Sequence, residues 1–243
     1  MIPDQCTSQL AFVSDKWEEC FESIRSKWQE GYVISSAGFG DPYYFIVMDQ
    51  GTGWGKQDIL ISKNFPQLEI NDYWDRKLDM SHVFHDGKQW FVIFTANTAA
   101  NGQEWQYKQS WEDIKRFIRT LWGQKRFVSA AYQYQGNYFM LMSGGPERKE
   151  KWLLNREIPD DVLSGDYMKE LNMFISCITE VDGKIFTVFS GGTGISEQFV
   201  LKPSRIEDVA HILEENWLED LFISDIAFVR NELYLVFSQF MSK

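Results

Sequence analysis

Apolar residues return along this chain in short runs, separated by polar and glycine-bearing turns, and the runs keep a common period. An apolar residue followed by Ser recurs at Ile34-Ser35, Met80-Ser81, Val128-Ser129, Ile175-Ser176 and Ile223-Ser224, with serine spacings of 46, 48, 47 and 48. A second marker closes an apolar run at Met48, Phe94, Met142, Phe189 and Phe237, with the same four spacings. A large aromatic stands ahead of each serine: Trp28, Trp74, Trp122 and Trp217 at seven residues, Tyr167 at nine. Fixed-period self-similarity of this kind marks a repeat architecture.

Each unit predicts the same elements. A short strand carries the Ser, and a turn such as Asp86-Gly87-Lys88, Gln135-Gly136-Asn137 or Asp182-Gly183-Lys184 follows. A second strand is nearly all apolar (43–48, 90–94, 138–142, 186–189, 233–237), as suits a strand covered on both faces. A Gly-rich loop leads to a third strand that opens on Gln at Gln57 and Gln198. A polar-amphipathic stretch then runs to the next aromatic. Helical spacing is clear for Ile114, Phe117, Ile118 and Leu121 behind the N-cap candidate Ser110. It recurs over 205–216 and 14–27. In the first and third copies Pro66 or Pro159 shortens the stretch and argues against a helix.

The fifth unit stops after its second strand, while the N-terminal segment reads as a strand and a helix. Gln9 precedes Trp28 by 19 residues, and Gln198 precedes Trp217 by 19. The expectation is therefore a mainly β, mixed fold in one domain, 1–243. It is a closed five-bladed propeller-like ring of about 47-residue β-β-β-α repeats, the last blade completed by the N-terminal strand and helix.

The run from Trp28 through Tyr32-Val33-Ile34-Ser35, Val47 to Gly53, Gln57, Phe65-Pro66 and Ile70 to Trp74 resembles one unit of a known domain. It is the Trp-delimited repeat domain found C-terminal to plant casein-kinase-I-like kinases, with related repeats fused to bacterial caspase-like proteases. The resemblance is carried by residues 27–75. The third unit loses the Thr of the Gly-Thr-Gly loop, and Gly192-Thr193-Gly194 recovers it. The resemblance implies an accessory, non-catalytic module and transfers no functional residue.

Composition narrows the function classes. The 243 residues include 24 Lys and Arg against 35 Asp and Glu, a formal charge of −11. That sign disfavours direct nucleic-acid binding and an anionic membrane surface. Cys6, Cys20 and Cys177 cannot all pair, no apolar run approaches 18 residues, and the first twenty residues lack a basic leader. A cytoplasmic location is expected.

Candidate chemistry is sparse. Cys177 with His82, His85 or His211 could form a Cys/His dyad, but a Cys beside Ser176 in a strand reads as buried and inert. His82 and His85 read as surface residues, and no metal or cofactor is assigned. Gly51 to Lys56 precedes a strand rather than a helix, so it reads as a hairpin connector and not a phosphate loop. Lys149, Lys151 and Arg148 form a small basic knot. The five serines either line a central channel or bond the neighbouring backbone, the latter being preferred. Trp54, Trp105 and Trp152, with Thr52 and Thr193 in the Gly-rich loops, are the binding candidates, and no catalytic residue is named. The leading expectation is a non-catalytic protein-interaction module, a regulatory partner or scaffold in a signalling or caspase-like protease system. The alternative is a propeller lectin that binds carbohydrate through its blade loops.

Overall fold

The structure is a computed structural model, and it describes residues 6–145, 149–217 and 219–240. Arg148, part of the basic knot, lies outside them. The protein is mainly β, with 49 % strand and 23 % helix. In order the elements are β1 (Ser8–Ser14), α1 (Trp17–Gln29), β2 (Val33–Gly40), β3 (Tyr43–Gln50), β4 (Gln57–Ser62), α2 (Glu69–Asp75), β5 (Asp79–His85) and β6 (Trp90–Thr95). There follow β7 (Asn101–Lys108), α3 (Trp111–Trp122), β8 (Arg126–Tyr134), β9 (Asn137–Gly144), β10 (Glu150–Asn155), α4 (Asp160–Leu163) and α5 (Asp166–Leu171). The chain continues through β11 (Phe174–Val181), β12 (Lys184–Ser190), β13 (Ile195–Leu201), α6 (Val209–Trp217), β14 (Phe222–Val229) and β15 (Glu232–Phe240).

The strands form five antiparallel three-stranded sheets: β1-β3-β2, β4-β6-β5, β7-β9-β8, β10-β12-β11 and β13-β15-β14, numbered here one to five. Each sheet is one contiguous stretch of chain, an outer strand, a helical connection and a hairpin. This corrects the expected phase of the repeat. The fifth sheet is complete with β13, and β1 pairs with β3 from Ser8↔Gln50 to Ser14↔Tyr44. The N-terminal strand therefore does not complete the last sheet. The equal spacing of Gln9 to Trp28 and Gln198 to Trp217 arises because both are an outer strand leading into its helix. Two further corrections concern the prolines. Pro66 and Pro159 stand ahead of short helices, where a missing N–H costs nothing, and α2, α4 and α5 form behind them.

Five β-bulges fall on the five serines. In every sheet the pairing skips the Ser, as between Ile34 and Ser36 or between Met80 and His82. A bulge residue has no ladder partner, and the serine hydroxyl supplies one. Each Oγ donates to a carbonyl of the central strand, of Val47, Ile93, Leu141, Val188 or Val236, at 3.2–3.4 Å. The backbone-bonding reading holds for all five, and Ser81, Ser129, Ser176 and Ser224 also line a cavity among β2, β5, β8, β11 and β14, so the two readings are not exclusive. Four residues before each serine stands a left-handed residue that ends the helix: Gly31, Lys77, Lys125, Asn172 and Asp220, with φ between 50° and 87°.

Packing follows the same period. β2 lies against β5, β5 against β8, β8 against β11, β11 against β14, and β14 against β2. The core divides into five clusters, each joining two adjacent sheets through a helical connection. α1 supplies Trp17, Cys20 and Ile24 between sheets one and two, and α3 supplies Ile114, Ile118 and Leu121 between three and four. α6 supplies Val209 and Leu213 between five and one. The central strands are buried on both faces, as their continuous apolar runs require.

Candidate functional site

Sites are set by the polar groups at the seams between sheets, which repeat five times. The first is a clasp from each outer strand. Gln57 Oε1 accepts from Trp28 Nε1 (3.1 Å) and the Ile34 amide (2.6 Å), while its Nε2 donates to the Ile34 carbonyl and to Thr95 (both 2.8 Å). Gln103 does the same with Trp74, Met80 and Ser143. Glu150 accepts from Trp122, the Val128 amide and Ser190. Gln198 bonds both backbone groups of Ile175 and the hydroxyl of Ser238. Gln9 bonds Trp217, both backbone groups of Ile223, and Asp49. The delimiting indoles are thus pinned rather than free. Sequence reasoning missed Gln103 and Glu150. Their spacing from Gln57 (46, then 47) was the available signal.

Beneath each clasp a central-strand hydroxyl meets the bulge serine: Thr95, Ser143, Ser190 and Ser238 at 2.6–2.9 Å. Sheet one departs from this, because Asp49 takes the position. Burial raises its carboxyl pKa to about 7, against the opposing hydrogen bonds from Gln9, Ser35 and Cys6.

The residues that follow the serines are Ser36, His82, Ala130, Cys177 and Asp225. The last four line a narrow cavity of about 90 Å³ among β2, β5, β8, β11 and β14. Asp225 accepts from the Ile178 amide (3.0 Å) and Ser36 Oγ (3.3 Å), and burial lifts its pKa to about 6. Burial depresses His82 to about 3 and leaves its Nδ1 without a hydrogen-bond partner. The Cys177 thiol is pushed well up by burial, then by the nearby Asp225. A thiol held protonated is a poor nucleophile, in keeping with the inert reading of Cys177. The surface reading of the histidines is corrected. His82 is half-buried, because it follows the bulge and lines the cavity. His85 ends β5 buried against Tyr134, ring centroids 3.5 Å apart, its Nδ1 accepting from the Gly87 amide. Among the described residues no three His, Cys, Asp or Glu side chains are placed to hold a metal ion.

The five binding candidates do not form one site. Trp105 packs on Phe65 and Phe139, and Trp152 on Trp111 and Phe186, so both belong to the core between sheets. Thr193 is half-buried in the β12–β13 loop. Thr52 is buried, and its Oγ1 accepts from the Trp54 amide at 3.1 Å, closing a local turn. Trp54 is half-buried and belongs to none of the five clusters. It lines a groove of about 590 Å³ with Trp28, Tyr32, Lys56 and Asp58. The next seam repeats the groove at about 510 Å³, with Trp74, Lys77, Asp79, Asn97 and Thr98. Both are of small-ligand size.

No protein-family model and no curated protein sequence matches the chain. No helix among the described residues is long and apolar enough to cross a membrane.

Proposed function

We propose that the five sheets close into one five-bladed, propeller-like ring, and that this ring is a non-catalytic recognition module for a protein partner. Support for closure comes from the seam between sheets five and one. There β14 packs on β2, and Gln9 makes the bonds that Gln57 and Gln103 make elsewhere. The observation that carries the recognition reading is where the polar groups stand. The thiol, imidazole and carboxyl that could do chemistry line a cavity of only about 90 Å³, whereas the larger concave surfaces lie at the seam rims. The resemblance of residues 27–75 to an accessory repeat domain points the same way, toward a regulatory or scaffolding role in a cytoplasmic signalling or caspase-like protease system. The charge of −11 favours a basic patch on the partner.

Affinity purification of the tagged full chain from its own host, with mass spectrometry, tests this. A stoichiometric protein that withstands washing with free sugars is expected. A chain that elutes alone contradicts the protein-partner reading. The half-buried Trp54 at the rim of a groove of small-ligand size favours carbohydrate as the second reading.

A further inference from the structure

We propose that the groove between sheets one and two is a saccharide-binding site, with Trp54 as its stacking platform and Lys56 and Asp58 at its polar rim. The inference rests on the recognition reading but not on the ligand being a protein.

Trp54 is the odd tryptophan of the loops. Trp105 and Trp152 are consumed by core packing, while Trp54 has no place in any cluster. Nor is it left on a loose tip. Thr52 closes the turn beneath it, the Gly55 amide donates to the Ala96 carbonyl (2.8 Å), and the Ala96 amide donates to the Lys56 carbonyl (2.9 Å). The second indole of the groove, Trp28, is fixed by its bond to Gln57. The Trp28 indole, already held in place, loses little entropy when a ligand binds.

The polar groups select the ligand class. Lys56 is exposed and forms no ion pair among the described residues. Asp58 is partly exposed, with Arg76 on Oδ2 and the Ile59 amide on Oδ1, both at 3.0 Å. A donor and an acceptor beside apolar ring faces match a pyranose, which offers a C–H face and an equatorial belt of hydroxyls. A polyanion is disfavoured by the net charge of the chain. At the next seam Trp74 keeps the wall that Trp28 forms, but Ala100 and Gly102 stand in place of Trp54 and Lys56 and the Thr98 hydroxyl donates to Asp79 at 2.7 Å, so the platform is particular to the first groove.

The test is titration of the full chain with neutral mono- and disaccharides of glucose, galactose, mannose and N-acetylglucosamine. Tryptophan fluorescence and saturation-transfer NMR would be read. At least one sugar should give a saturable shift, weakened about tenfold or more in Trp54→Ala and partly kept in Trp54→Phe. Lys56→Ala, an exposed change that leaves the core alone, should weaken it as well. No saturable response at tens of millimolar sugar overturns the proposal. So does a response that Trp54→Ala and Lys56→Ala leave unchanged. If sugars are silent but a captured protein is lost in Trp54→Ala, the saccharide fails and the recognition module stands. If sugars are silent and capture is also absent, both fail.

Discussion

Asp49 is the residue at which the fivefold pattern is broken at greatest cost. The same position is Thr95, Ser143, Ser190 and Ser238 in the other sheets, hydroxyls that meet the bulge serine without carrying charge. Because burial raises the folded pKa of Asp49 to about 7, the folded state holds a proton that the unfolded chain releases near pH 4. Its contribution to stability is fully present below pH 4 and falls as pH rises to 7. Asp225, raised to about 6, acts in the same direction. His82, depressed to about 3, acts oppositely, losing stability as pH falls below 6.5. The difference between wild type and Asp49→Ser isolates the first group. The variant should match wild type near pH 4 and exceed it at pH 8 by up to roughly 4 kcal/mol. Urea unfolding at both pH values checks this, and a pH-independent difference would count against it. The serines and the delimiting tryptophans were legible at this scale because they recur. Asp49 was not, since one sequence does not reveal which irregular residue is buried.

Elements were legible where a period covered the whole segment. The buried central strands and α3, with Ser110 accepting from the Asp113 amide at 3.3 Å, follow from apolar spacing and cap chemistry. The short helices after Pro66 and Pro159 were hidden because a proline at a helix start looks like a break. The phase of the repeat was hidden for a different reason. Spacing shows that two segments are equivalent, but strand pairing decides which sheet each one joins. Gly165 illustrates a constraint that no pattern displays. It begins α5 at φ +87°, and a Cβ there would meet the Gln198 carbonyl oxygen across the seam between sheets four and five. Gly165→Ala should cost about 1–3 kcal/mol, from the left-handed backbone and the displaced strand. A melting temperature lowered by several degrees is expected, and an unchanged one would show that the seam yields freely.

For the whole molecule, stability and recognition both depend on seams. Each seam combines an apolar cluster with a Gln or Glu clasp that satisfies buried polar groups, and removing Gln57 strands both the amide and the carbonyl of Ile34. Gln57→Ala should therefore cost roughly 2–4 kcal/mol. The binding candidates were only partly legible. Trp54, Trp105 and Trp152 occupy similar stretches of sequence, and only packing separates the two core residues from the one at a groove. The central claim is that sheet five is joined to sheet one as every other pair is joined. Hydrogen exchange in Gln9→Ala compared with Gln57→Ala tests it most directly. If the ring closes, Gln9→Ala strips protection from 222–229 to the same extent that Gln57→Ala strips it from 33–40. If 222–229 exchanges identically with and without Gln9, the first and last sheets are not joined and the closed ring is wrong.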